Sequence, residues 1–178
     1  NVTSFIKLDL TKVLNKHHQI KTGFEYVMND YRINSSTVSP SMDTWNREMS
    51  YYVSPRRNAV YIQDKIDHNG VIANIGLRVE STAPNTNWYN LEPYDKNLSQ
   101  GEGANIETQV STYEAEHKYY ISPRLGISNP ITENSKLYFN YGHFYSEPES
   151  SFRFRIQREY NGLVTHLGNP ELSNERTI

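Results

Sequence analysis

Apolar and polar residues alternate along six separate stretches of the chain. In the first stretch, residues 5–13, Ile6, Leu8 and Leu10 alternate with Lys7 and Asp9. The same period of two recurs at residues 19–30, 58–66, 71–80, 123–129 and 136–144. Because successive side chains of a strand point to opposite faces, each stretch predicts a strand with one apolar face and one polar face. The pattern therefore predicts an all-β fold of about six antiparallel strands.

The connections between these stretches are of two alternating kinds. Short turns follow the first, third and fifth stretches, and one of them contains Asn69-Gly70, a dipeptide typical of a tight hairpin. Long polar connections follow the others, at residues 34–52, 81–116 and 146–167. Compact soluble domains rarely contain several loops of this length, whereas outer-membrane barrels have short turns at one end and long loops at the other. We therefore predict a section of an antiparallel transmembrane β-barrel, arranged as a meander.

Two environments are compatible with strands that have two different faces. In a membrane barrel the apolar face meets lipid and the polar face lines the lumen, whereas in a soluble β-sandwich the apolar face packs on a second sheet. Charged residues mixed with glycine on the polar faces favour an enclosed lumen. Tyrosines near the predicted strand ends suggest aromatic girdles at the membrane interfaces; these are Tyr31, Tyr51, Tyr52, Tyr119, Tyr120 and Tyr145.

The composition argues against several classes of function. The 178 residues carry a formal charge of −2 and no cysteine, so no basic face predicts nucleic-acid binding and neither a disulfide framework nor a thiolate zinc site is possible. The six histidines lack the spacing of metal ligands. The chain also lacks the nucleophile-elbow, phosphate-loop and zinc-protease motifs. We therefore expect no enzymatic activity, no cofactor and no metal site.

The candidate ligand contacts are three aromatic residues and two arginines. Trp88, Tyr89 and Tyr94 lie in the longest predicted loop, where rigid rings offer a large contact area at a low entropic cost. The alternative is that these rings pack the loop against itself or a neighbouring loop. Arg78 and Arg124 belong to the polar faces of two strands, and we expect both to face the lumen.

Three segments resemble a known family. "YIQDKIDHNGVIANIGLRVE", "ISPRLGISNPITENSKLYFNYGHFY" and "GNPELSNERTI" resemble the barrel region of TonB-dependent outer-membrane receptors, particularly the carboxypeptidase-regulatory-like group of Bacteroidetes. The "SPRLGIS" and "GNPEL" segments are the most specific. The resemblance implies a large barrel of about 22 strands that contains a plug domain. It also implies import of a ligand with energy that TonB passes from the inner membrane.

The resemblance also predicts how much of such a receptor is present. Residues 1–178 correspond to a single segment of a larger barrel, without the plug domain. Its expected location is the outer membrane. Its expected partners are the lipid, the rest of the barrel with its plug, TonB through that plug, and an imported ligand whose identity the sequence does not reveal. A passive porin or adhesin barrel and a soluble β-sandwich that binds through loop aromatics are the alternatives.

Overall fold

The computed structural model describes residues 1–42, 46–92, 95 and 106–178. Within them the chain forms thirteen strands and two short helices. In chain order these are β1 (Val2–Val13), β2 (His18–Thr37), β3 (Arg47–Val53), β4 (Arg56–His68), β5 (Val71–Ala83), β6 (Asn87–Tyr89), α1 (Ile106–Gln109), β7 (Thr112–Glu114), β8 (Lys118–Thr132), β9 (Ser135–Gly142), β10 (Phe144–Ser146), α2 (Ser150–Phe154), β11 (Ile156–Glu159), β12 (Val164–Leu167) and β13 (Glu175–Thr177). None of the helices in these ranges is long and apolar enough to cross a membrane.

One nine-stranded antiparallel sheet dominates the fold. Its central part is a meander in which β1, β2, β4, β5, β8 and β9 each pair with the next strand in this series. The sheet is curled like half of a barrel. The predicted all-β barrel section with about six meander strands is therefore confirmed. β6 with β7 and β10 with β13 form two small additional sheets.

β3 and β4 are two parts of one long strand. β3 pairs with the second half of β2, where Tyr31 is opposite Val53, and β4 pairs with the first half, where Met28 is opposite Arg56. The register is the same on both sides of the gap at residues 54–55. Across the gap, the Asn29 N–H donates to the carbonyl of Pro55 at 3.1 Å. The chain order and this shared register make β2 and β3–β4 one long hairpin.

The turns divide between the two ends of the sheet as the sequence predicts. Asn69 and Gly70 have φ angles of 51° and 83°, as a type I′ turn requires at both central residues. The other two short turns, at residues 14–17 and 133–134, lie at the same end, which we call the turn end. The long connections lie at the opposite end, the loop end.

The prediction was wrong about the long connections, because parts of them form strands and short helices. β2 continues to Thr37 and β3 begins at Arg47, so much of the predicted loop at residues 34–52 is paired strand. The connection predicted at residues 81–116 contains β6, α1 and β7, and that at 146–167 contains α2, β11 and β12. Strict alternation is lost in these segments, which explains why the sequence pattern did not identify them as strands.

The two faces of the meander differ sharply in chemistry. One row of side chains crosses the sheet on its outer face, and it is apolar throughout: Leu8, Phe24, Val60, Val79 and Ile121. Leu8, Val60 and Ile121 are 64%, 53% and 57% exposed. We call this outer surface the apolar band; on β5 it comprises Val71, Ala73, Ile75, Leu77 and Val79. Their partners on β4 are apolar except for Asp64 opposite Ile75 and His68 opposite Val71. The opposite, polar face is the inner wall.

The predicted tyrosine girdle was wrong for Tyr51 and Tyr120. Tyr52 and Tyr119 are exposed on the outer face, but their chain neighbours Tyr51 and Tyr120 are buried on the other face. Adjacent residues of a strand point to opposite faces, so both members of such a pair cannot belong to one girdle. Tyr26 lies on the outer face in the same row as Tyr119, and the sequence analysis did not identify it.

Candidate functional site

The inner wall carries a group of charged side chains brought together by strand register. We call this group the ion-pair ladder, and its members are Lys7, Asp9, Lys21, Glu25, Arg78 and Glu80. They come from β1, β2 and β5, although β4 lies between β2 and β5. Side chains two strands apart converge in this way on a concave surface, which indicates that the polar face is the inside of the curl.

Glu25 is the centre of the ladder. Its carboxylate accepts from Lys7 at 3.1 Å and from Arg78 at 2.7 Å. Arg78 also binds Glu80 at 3.0 Å, and Asp9 lies 3.7 Å from Lys21. Three cations thus meet three carboxylates, so the ladder has no net charge.

Gly23 allows one aromatic ring to join this ladder. A Cβ atom at residue 23 would lie 2.5 Å from the ring of Tyr61. Because glycine leaves this space open, Tyr61 lies across β2 and its hydroxyl donates to the Asp9 carboxylate on β1. The ring therefore reaches over β2 to a carboxylate on β1.

Both predicted arginines lie on the inner wall, as expected of lumen-facing residues. Arg78 belongs to the ladder. Arg124 is on β8, opposite Gly76 of β5 and Gly142 of β9, and its guanidinium lies 5.0 Å from the centre of the Phe144 ring. Arg124 also lines an open hollow of about 690 Å³. Their role as ligand contacts remains a prediction.

A compact hydrophobic core lies at the loop end, and the sequence analysis did not identify it. Tyr51, Val53, Trp88 and Phe154 form this loop core. The Trp88 and Phe154 rings meet edge to face with centroids 6.4 Å apart. The Trp88 indole N–H donates to the carbonyl of Gly168 at 2.8 Å. Two long connections are thereby joined to the end of the β2–β3 hairpin.

Gly168, which follows the connection at residues 146–167, lies too close to the backbone of α2 for a residue with a Cβ atom. A Cβ atom there would lie 2.7 Å from the backbone of Arg153 in α2. Arg153 is 5% exposed and donates to the carbonyl of Pro170 at 3.1 Å. Burial lowers the pKa of its guanidinium, and Glu147, 4.0 Å away, opposes this shift. Arg153 therefore connects α2 to the segment that contains Pro170.

The three predicted loop aromatics have different positions. Trp88 is 5% exposed, so most of its surface is in the loop core. Tyr89 is half-buried at the edge of an open hollow of about 370 Å³, which Tyr113 and Glu171 also line. Burial, followed by the negative charge of Glu107, raises the pKa of Tyr89. Tyr94 lies outside the described residues. Ligand contact by these aromatics remains a prediction.

No cluster of metal ligands lies in the described part of the chain: no group of three or more His, Asp and Glu side chains there is arranged to hold a metal ion. Two histidine contacts lie toward the turn end. There, the His18 imidazole lies 2.7 Å from the Asp64 carboxylate, and the His17 and His68 rings are 5.2 Å apart.

The family of the chain follows from a comparison with protein-family models. A model described as TonB dependent receptor-like, beta-barrel, matches residues 2–178. Searches of curated proteins and of solved structures give no significant match. Proteins of the matched family are transporters of the outer membrane and not enzymes. A curled antiparallel meander with an apolar outer face and a polar inner wall is the structure that such a barrel requires. The chain therefore belongs to the TonB-dependent receptor β-barrel family.

Proposed function

We propose that this chain forms part of the barrel wall of an outer-membrane receptor that binds a ligand and imports it with energy supplied through TonB. Residues 1–178 would be one segment of that barrel. The remaining strands, the plug domain and the contact with TonB would be supplied by other parts of the receptor. The "SPRLGIS" and "GNPEL" segments support placing it in the carboxypeptidase-regulatory-like group of Bacteroidetes.

The apolar band is the observation that carries the proposal. On β5, Val71 and Val79, the two ends of the apolar band, are eight residues apart, which is about 26 Å along a strand. With a strand tilt of about 40°, the band spans about 20 Å along the membrane normal, close to the roughly 25 Å apolar surface of outer-membrane barrels. Tyr26 and Tyr119 lie in the row of Ser81, where an interfacial aromatic row belongs.

The loops support a receptor rather than an open channel. The loop core contains inward-facing residues of β3 together with side chains from two long connections. These connections therefore fold over the inner side of the wall at the loop end. A ligand that enters from this end would meet them before it reaches the ion-pair ladder. Tyr89, Tyr94, Arg78 and Arg124 are the residues we propose as its contacts, whereas Trp88 holds the loops together.

The soluble β-sandwich alternative requires a second sheet against the apolar face. In the described ranges the apolar band is exposed, and the two additional sheets have only two strands each. The apolar face is therefore available to lipid.

Spin labels on β5 test the membrane position in the complete receptor. We expect high oxygen accessibility in lipid for single cysteines at Ala73, Ile75 and Leu77. Cysteines at Asn74 and Gly76 should give low oxygen accessibility, because those positions face the inner wall. Uniformly low oxygen accessibility would contradict the membrane position.

A nutrient screen tests import. Cells that express the complete receptor, cells without it and cells without TonB are compared for uptake of iron chelates, glycans, peptides and cobalamin. The ligand is the nutrient whose uptake falls in both deletion strains. Uptake that needs the receptor but persists without TonB would instead indicate a passive porin, and the proposal would then be wrong.

A further inference from the structure

We infer that Arg124, with the amides of Asn74 and Asn140, forms an anion-binding position on the inner wall, suited to a carboxylate or phosphate group of a solute in the lumen. The assignment of that solute as the imported ligand rests on the proposed function. The binding position itself rests on the neighbours of Arg124, which differ from those of the cations in the ion-pair ladder.

Arg124 has no carboxylate within reach in its own row. The residues opposite it on the two neighbouring strands are Gly76 and Gly142, and neither has a side chain. Lys7, Lys21 and Arg78, by contrast, all lie within 4.0 Å of a carboxylate. Within the described ranges, Arg124 forms no salt bridge, whereas Arg78 of the ladder binds two carboxylates.

Phe144 holds the guanidinium in place without neutralising it. The ring centre lies 5.0 Å from the guanidinium carbon, a distance at which a cation is attracted to an aromatic face. Gly142 leaves room for this contact, since a Cβ atom there would lie 3.0 Å from the Phe144 ring and 3.5 Å from Arg124 Cγ. The N–H donors at the edge of the guanidinium plane remain available to a partner in the lumen.

The next row toward the turn end contains two amides beside a third glycine. Asn74 and Asn140 lie on either side of Gly126. The Asn140 amide lies close over Gly126, where a Cβ atom would be 3.0 Å from its oxygen. The Asn74 oxygen accepts from Gln63 at 3.4 Å, so its NH₂ group is free to donate. Arg124 and these amides line the same hollow of about 690 Å³.

The chemistry of this set of groups selects an anion. Arginine is charged at all accessible pH values and offers paired donors that match a carboxylate or a phosphate. Amide NH₂ groups add neutral donors around it. No acidic side chain is among the residues that line the hollow, so no Asp or Glu would repel an anion from within it.

The test uses the complete receptor in detergent and succinate as the probe. Binding is measured by ligand-observed NMR titration, with uncharged succinamide as the matched probe. We expect saturable binding of succinate but not of succinamide. Arg124→Gln should weaken succinate binding by about tenfold or more, because it removes a charge-assisted bidentate contact. Arg124→Lys should have an intermediate effect, since it keeps the charge but not the planar pair of donors.

Lys12→Gln is the control for the loss of one positive charge. Lys12 is exposed and lies on the outer face, so this variant should bind succinate like the wild type. Thermal unfolding of each variant checks that the barrel is intact. Equal binding by wild type and Arg124→Gln, or no saturable binding by the wild type, would overturn the inference. Arg124-dependent succinate binding in a receptor that shows no TonB-dependent uptake would refute the proposed function and leave the anion-binding position standing.

Discussion

Replacement of Leu77 by arginine gives the most direct energetic test of the membrane position. Leu77 lies two residues from Ile75, the middle residue of the apolar band on β5, and is 44% exposed in the isolated chain. Loss of roughly half of a leucine's apolar contact with lipid costs about 1 kcal/mol. An arginine near the bilayer midplane of a barrel costs about 2 to 4 kcal/mol more. We therefore expect Leu77→Arg to reduce the free energy of unfolding by about 3 to 5 kcal/mol.

The expected effect depends on depth and on face. Ser81 is four residues further along the outer face, about 10 Å closer to the interface for a strand tilted by about 40°. Ser81→Arg should therefore cost at most about 1 kcal/mol. Asn74→Arg places the same charge on the inner wall, where water can reach it, and should also have a small effect.

Denaturant titration of the complete receptor in lipid vesicles measures these differences. The three variants are compared with the wild type under conditions in which the barrel unfolds and refolds reversibly. A loss of stability that is equal for Leu77→Arg and Ser81→Arg would show that depth in a bilayer is irrelevant. A loss for Asn74→Arg as large as that for Leu77→Arg would contradict the assignment of the faces.

Three further predictions concern the inner wall and the loop end. Glu25→Gln should lower stability in denaturant titration by about 1 to 2 kcal/mol, because two cations lose a shared, water-accessible carboxylate, whereas Glu133→Gln in a turn should have no effect. Gly168→Ala should loosen the loop core, since a Cβ atom there would lie 2.7 Å from the α2 backbone; faster hydrogen exchange of β6 and α2 would reveal this, and unchanged exchange would refute it. Burial, together with nearby Glu171 and Glu116, raises the pKa of Tyr113 above its ordinary value of 10.0, so its neutral form is favoured in the folded state and stability falls as pH rises past that value. Tyr113→Phe should reduce this alkaline loss, as measured by unfolding at several pH values, and Tyr160→Phe, at an exposed position, should not.

The sequence predicted the part of the sheet in which the two faces have different environments. Strict alternation identifies β4 and β5, and Asn69-Gly70 identifies the turn between them, because a type I′ turn needs two residues that tolerate positive φ. At the end of β2, residues 34–37 are polar on both faces. The period-two signal therefore ends there and these residues were predicted to be loop, although their backbone pairing continues to Thr37.

The candidate site was only partly predictable for a different reason. The inward direction of Arg78 and Arg124 follows from local alternation. The partners of these side chains depend on which strands are neighbours and in which register, as with Arg78 on β5 and Glu25 on β2. The loop core joins Tyr51, Trp88 and Phe154 across about a hundred residues of chain. No spacing in the sequence indicates a contact of this kind.

The gap at residues 54–55 has a consequence for how such a receptor could diversify. β3 and β4 pair with β2 in one register, so the two halves of the hairpin are aligned. At residues 54–55, between these halves, the ladder of paired residues is interrupted. Pro55 has no N–H to donate to the ladder. Mutations can therefore accumulate in the β2–β3 half, at the loop end. They need not change which face of the β2–β4 half each side chain occupies. The loop end could therefore change in sequence while the half that carries the apolar band retains its alternating pattern.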